Sequence, residues 1–200
     1  MRGAEFNEGL AVGTLGMVVQ DAHGNRFGLS NAHVLSDGQV VQPHLSGFSI
    51  GPVTSCVLDS QMDAGLVSLN GTRPSVGGID GIGPLHSTFD PIPLTRIPLP
   101  VEIVGACSGR SSGFVTSVSA TIPITYPSGR TIWFSEQLHI VSAQPGREFS
   151  KGGDSGAVLF DTESHRAIGL LFAGEPSGAH DFAIATPIRR VLDRLGVTFL

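Results

Sequence analysis

The chain has 200 residues, of which 27 are glycine and 13 proline, while charged residues make up only 14%. So many turn formers with so few charges exclude a coiled coil, a helical bundle and a charged disordered chain. A net charge of −5, with Lys151 the only lysine, leaves no basic cluster of the kind nucleic acid requires.

Apolar residues account for 40% of the chain, enough to bury a core between short strands joined by Gly/Pro turns. In chain order, Gly9–Gln20 reads as a strand, Asp21–Asn25 as a hairpin turn and Arg26–Ser30 as the returning strand. Ile50–Leu58 and Asp63–Leu69 form a second pair, followed by the glycine-rich stretch Val76–Pro84. From His86 to Pro100, prolines at 91, 93, 98 and 100 forbid a central strand and predict an extended connector. Strands resume over Val101–Ala106, Gly113–Thr125, Thr131–Ala143, Gly156–Phe160 and Ala167–Gly174. Pro187–Gly196 alone has helical spacing, with Ile188, Val191, Leu192 and Leu195 on one face and Gly196 as the stop. Arg189, Arg190 and Arg194 then read as the solvated face of that helix. The expected architecture is all-β, with a first barrel over residues 1–88, a connector over 89–100 and a second barrel over 101–200 ending in helix 187–196.

Cys56 and Cys107 lack metal-site spacing, and two buried free thiols are preferred to a single bridge. The N-terminal segment lacks the apolar core of a secretory signal, and no 18-residue apolar run occurs. A cytoplasmic protein without a membrane span is expected.

The sharpest string is Lys151-Gly152-Gly153-Asp154-Ser155-Gly156, leading into the apolar run Ala157–Phe160. Glycines around a serine allow a tight turn that presents the hydroxyl outward and converges backbone N–H groups on one point. That geometry suits a tetrahedral oxyanion. The same string also reads as an ordinary Asp-Ser-Gly hairpin turn. A nucleophilic serine needs a base. Of the histidines, His33 follows a strand directly in Leu29–Leu35, whereas His23, His44, His86, His165 and His180 read as loop residues and His139 as structural. A carboxylate must hold the imidazole. Asp63, at the mouth of an apolar run, is favoured over Asp59 in the turn before it.

These segments resemble the three catalytic motifs of trypsin-like serine proteases. Ser30-Asn31-Ala32-His33 is similar to their Ala-His segment, Asp63-Ala64-Gly65-Leu66 to their Asp-x-Ala-Leu segment, and Gly153-Asp154-Ser155-Gly156 to their nucleophile turn. The order His, Asp, Ser is that of the chymotrypsin fold. Ser108-Gly109-Arg110-Ser111-Ser112-Gly113 further resembles a segment of bacterial α-lytic-type proteases, and the spacing through to Gly169–Gly174 resembles the cytoplasmic plant narrow-leaf group. The resemblance implies two six-stranded antiparallel Greek-key barrels and a serine endopeptidase with catalytic His33, Asp63 and Ser155. It implies an oxyanion hole from the Gly153 and Ser155 N–H groups, and an ion pair between Arg110 and Asp154 in place of a new N-terminus made by proteolytic activation. A protein or peptide substrate would add to the edge Phe172-Ala173-Gly174. Its pocket would have Phe149 as floor, then Ser150, with Gly174 and Ala183 as walls, which suits apolar or small residues. Phe172 departs from the family, which often places there a serine that bonds the catalytic aspartate; Ser30 or Asn31 are the candidates to replace it. No metal or cofactor is implied. The competing readings are a protease gated by a regulatory partner and a catalytically silent peptide-binding module of the same fold.

Overall fold

The computed structural model describes residues 13–35, 40–41, 50–69, 85, 92–175 and 182–200. Among them the strands run in chain order as β1 (Met17–Asp21), β2 (Arg26–Ser30), β3 (Val40–Val41), β4 (Gly51–Leu58) and β5 (Asp63–Ser68). After a single 3-10 turn at Leu94–Arg96 come β6 (Leu99–Gly105), β7 (Gly109–Thr125), β8 (Thr131–Ser142), β9 (Val158–Asp161), β10 (Ala167–Glu175) and β11 (Phe182–Pro187). Helix α1 (Ile188–Leu195) and strand β12 (Val197–Phe199) complete the chain. The first sheet has the order β12-β1-β2-β5-β4-β3, and the second closes into a barrel, β10-β11-β8-β7-β6-β9. Every pairing between them is antiparallel. Of the two six-stranded barrels expected, the second closes and the first is a six-stranded antiparallel sheet among the described residues; with the C-terminal helix this matches the chymotrypsin-like fold.

Strand alternation builds the second core. Along β6, Leu99, Val101 and Ile103 point inward and meet Leu138 and Ile140 of β8, Leu159 and Ile168. In β5 every position is buried, because one face meets the first core and the other the rest of the molecule. The helix forms where the spacing predicts, with Pro187 at the N-cap and Gly196 at φ 67° and ψ 35° closing it. Its buried face, Ile188, Val191 and Leu192, packs with Val19, Leu29 and Leu66 of the first sheet and Leu170 of the second.

Several expectations change. Strand β12 pairs with β1, as Val19↔Phe199 and Asp21↔Val197, so residues 197–199 belong to the first sheet rather than to the second barrel. Strands β3, β11 and β12 are not among the expected strands; β3 and β12 are too short to show alternation, and their sheet neighbours define them. The connector ends sooner, since Leu99 and Pro100 already lie in β6. The helix arginines are not simply solvated. The Arg190 guanidinium donates to the Gln61 and Glu136 carbonyls at 3.2 Å, and Arg194 Nη2 donates to Asp59 Oδ2 at 2.6 Å. Neither cysteine is buried as expected: Cys56 is half-buried and Cys107 exposed. Val76–Pro84, His44, His86, His180 and Asp181 lie outside the described residues. Among those described, no helix is long and apolar enough to cross a membrane.

The long β7–β8 hairpin reaches beyond its own barrel. Its turn is closed by Tyr126 and Arg130, whose backbone groups bond at 2.9 Å. On the way back, the Ser135 N–H donates to the Ser60 carbonyl at 3.1 Å and Gln137 Nε2 to the Gln61 carbonyl at 2.9 Å. Apolar packing of Phe134, Ile132, Phe172 and Ile184 with Tyr126 and Leu58 seats the hairpin against the turn that leads into β5.

Candidate active site

His33 lies in the turn after β2, and Asp63 is the first residue of the neighbouring β5. Because β2 and β5 pair with Ser30 opposite Gly65, that turn comes down over Asp63. His33 Nδ1 donates to Asp63 Oδ2 at 2.5 Å, and the His33 backbone N–H donates to Oδ1 at 3.1 Å. Asp63 is fully buried, whereas a quarter of the imidazole is exposed. One ring edge is thus tied to the carboxylate while the ring keeps access to solvent. Asn31 anchors the aspartate's backbone, its Nδ2 donating to the Asp63 carbonyl at 2.6 Å. Ser30 does not serve Asp63; its hydroxyl donates to the Thr14 carbonyl at 2.8 Å.

The carboxylate's remaining partner is one the sequence reading missed. The hydroxyl of Tyr126, the only tyrosine, donates to Asp63 Oδ2 at 2.8 Å. Its ring lies tilted at 57° to the His33 imidazole with centroids 5.7 Å apart. Burial, reinforced by the negative charge of Asp63, holds its pKa far above the usual phenol range, so it stays a donor. Turn signals at Pro127-Ser128-Gly129 could locate the hairpin tip, but nothing in the sequence says which way the hairpin leans. Asp59, the competing carboxylate, caps its own turn, accepting from the Gln61 and Met62 N–H groups at 2.8 and 3.1 Å. Burial pushes its pKa up, but these bonds and Arg194 outweigh that and hold it below the usual carboxylate value.

Ser155 sits on the turn between Lys151 and β9, with Gly153 and Gly156 at φ +96° and +95°. A Cβ at Gly156 would run into the Thr14 carbonyl and lie 2.5 Å from Ser30 Oγ, so only glycine fits. That contact sets the serine turn beside the strand end that carries His33. Neither the Gly153 nor the Ser155 N–H is taken up by another group among the described residues. The intervening Asp154 N–H, by contrast, donates to the Lys151 carbonyl at 3.0 Å.

Thr14 holds this turn from the first half of the chain and was also not foreseen. Its N–H donates to the Ser155 carbonyl at 2.7 Å, and its hydroxyl donates to the Gly153 carbonyl at 3.0 Å. The same hydroxyl accepts the Ala106 N–H at 3.0 Å, and the residue is 2% exposed.

The expected ion pair between Arg110 and Asp154 is not formed. Asp154 Oδ1 accepts the N–H groups of Cys107 and Ser108 at 2.9 and 3.0 Å, and Oδ2 accepts that of Lys151 at 2.8 Å. Arg110 lies on the outer face of β7 and pairs with Glu102 of β6 at 2.7 Å, where Ser112 also donates to Glu102. Backbone donors satisfy the buried carboxylate, so no guanidinium has to be stripped of water to reach it.

The proposed pocket residues divide. Phe149 is not an open floor: it is 1% exposed, part of the second core, and its ring closes on Gly113. Ser150, Gly174 and Ala183 do meet, since Gly174 pairs with Ala183 and faces Ser150 Oγ. Phe172 is buried against Phe134, ring centroids 4.6 Å apart, and offers no hydroxyl to Asp63. From Ala173 to Glu175, β10 pairs with β11 alone, so among the described residues its other edge carries no strand.

Neither a family sequence model nor a curated protein sequence matches the chain. The fold is that of the bacterial chymotrypsin-like serine proteases. Thermobifida fusca Protease A superposes with a TM-score of 0.73 at 20% identity, over 100% of this chain and 96% of that one. A glutamic acid specific serine protease that uses a histidine triad in substrate binding gives 0.70 at 22% identity, over 92% and 90% of the two chains. The α-lytic protease homolog N4 gives 0.65 at 16% identity, over 92% and 91%.

Proposed function

We propose that the chain is a serine endopeptidase in which His33, Asp63 and Ser155 form the catalytic triad. The observation that carries this reading is the hydrogen-bonded His33–Asp63 pair beside a glycine-framed serine turn with two unengaged N–H groups. In that mechanism Ser155 Oγ attacks the peptide carbonyl while His33 Nε2 takes its proton. The carbonyl oxygen, now negative, is met by the N–H groups of Gly153 and Ser155, each worth about 3–4 kcal/mol in comparable sites. The C–N bond breaks, His33 returns the proton to the departing amine, and an acyl-Ser155 remains. Water, deprotonated by His33, then attacks the acyl carbon and releases the acid. Asp63 holds the imidazole with its proton on Nδ1 and stabilises the imidazolium as it forms.

The substrate binds as an extended strand against the open edge of β10 at Phe172-Ala173-Gly174. Ser150, Gly174 and Ala183 form small walls that carry no charge of their own, which favours cleavage after apolar or small residues rather than arginine or lysine.

Labelling with a fluorophosphonate probe tests the triad. The native chain should label, and Ser155→Ala and His33→Ala should not; a folded native chain that never labels points instead to a silent binding module. Cleavage of a peptide library chiefly after Arg or Lys would overturn the pocket assignment.

A further inference from the structure

Resting on the triad reading, we infer that Tyr126 is a positioning residue of the site, and that the β7–β8 hairpin of the second barrel completes the aspartate of the first. Asp63 is fully buried, and its carboxylate has three donors: the His33 N–H, His33 Nδ1 and the Tyr126 hydroxyl. Two of these belong to the residue that Asp63 must orient. Tyr126 is the only side-chain donor to the carboxylate from outside the His33–Asp63 pair among the described residues. Phe172, buried nearby, supplies no polar atom.

The phenol is itself held in place. Its ring is 6.5 Å from that of Phe134, and its backbone closes the hairpin turn with Arg130. Ser135 and Gln137 then fix the returning strand to Ser60 and Gln61, just before Asp63. Aspartate and phenol therefore move as one unit, and the Tyr126 bond fixes Oδ2, the oxygen that faces the imidazole, from outside the histidine itself. Among the described residues, the charged and titratable groups facing the phenol are Asp63, His33 and Arg130.

Two consequences are chemical. The Tyr126 bond spreads part of the carboxylate's charge, which moderates how strongly Asp63 favours the imidazolium. Removing it leaves a less constrained carboxylate with its charge more concentrated on the imidazole side. In Tyr126→Phe the ring keeps its packing in the Phe134–Phe172 cluster beside the substrate edge and only the hydroxyl on Asp63 is lost, so the change acts on kcat and not on KM.

Tyr126→Phe keeps the ring packing and deletes only the hydroxyl. The expected result is a kcat lowered roughly tenfold to a hundredfold, as for loss of one hydrogen bond to a charged group. KM should be unchanged, and the acid limb of the pH–rate profile should move to higher pH. A second measurement is independent of turnover. In Ser155→Ala protein, the low-field proton resonance of the His33–Asp63 bond should shift or broaden when Tyr126→Phe is added. An unmoved resonance overturns the positioning role, as does an unchanged kcat and pH profile in an active enzyme. A shifted resonance in a chain whose native form never labels supports the positioning role while the hydrolase reading fails.

Discussion

Thr14 concentrates four polar contacts on one side chain and its peptide unit, linking Ser30, Ala106, Gly153 and Ser155. Thr14→Val keeps the shape but strands the part-buried Ala106 N–H and the buried Gly153 carbonyl, the latter at about 1–3 kcal/mol. We expect a lower urea midpoint and weaker probe labelling for Thr14→Val, with both largely restored by Thr14→Ser. His139 makes a separate prediction. Burial lowers its pKa, and Thr116 Oγ1 lies 2.9 Å from its Nδ1. The folded state therefore binds a proton less readily than the unfolded chain, whose histidine titrates near ~6.5. Above that pH both states are neutral and stability is full; as pH falls from there toward the depressed folded value, stability is lost. Denaturation midpoints should fall between pH 7.5 and pH 5.5, and His139→Gln should reduce that fall (roughly one histidine's worth of linkage).

Among the elements, the β7–β8 hairpin decides how the site is supported, and Arg190 of α1 clamps it. Arg190 Nη1 bonds the carbonyls of Gln61, Ser135 and Glu136, and Nη2 bonds Glu136 Oε2 at 3.1 Å. Arg190→Met keeps the apolar stem and should cost about 1–3 kcal/mol. Hydrogen exchange at the Ser135 amide, which bonds Ser60, should accelerate more than that of β6 amides. Here the sequence was partly legible. Alternation in β7 and β8 and the Pro-Ser-Gly turn located the hairpin, and the Gly-framed serine and the His and Asp motifs located the triad candidates. Tyr126 and Thr14 were not legible, because each acts on a residue more than sixty positions away. Arg110 misled for a related reason: its motif survives, but its position on the outer face of β7 sends the guanidinium to Glu102.

At the scale of the whole molecule, the two sheets are not separable pieces. The first sheet takes its edge strand β12 from residues 197–199 and part of its core from α1, so half of the chain cannot finish it. Residues 1–100 alone should show no cooperative unfolding, while the full chain should unfold in one transition by both near-UV and far-UV circular dichroism. Local pattern cannot reveal this closure, since Val197–Phe199 is too short to carry a period of its own.

Asp154 has a consequence for how the sequence is free to drift. Its carboxylate is satisfied by peptide N–H groups, which every residue except proline possesses. Positions 107, 108 and 151 can therefore exchange side chains widely while the turn persists, whereas an arginine partner would have fixed one residue type. The fold in this way keeps a charged anchor whose chemistry leaves almost no trace in the letters of the chain. At 16–22% identity to the solved structures above, shape outlasts spelling.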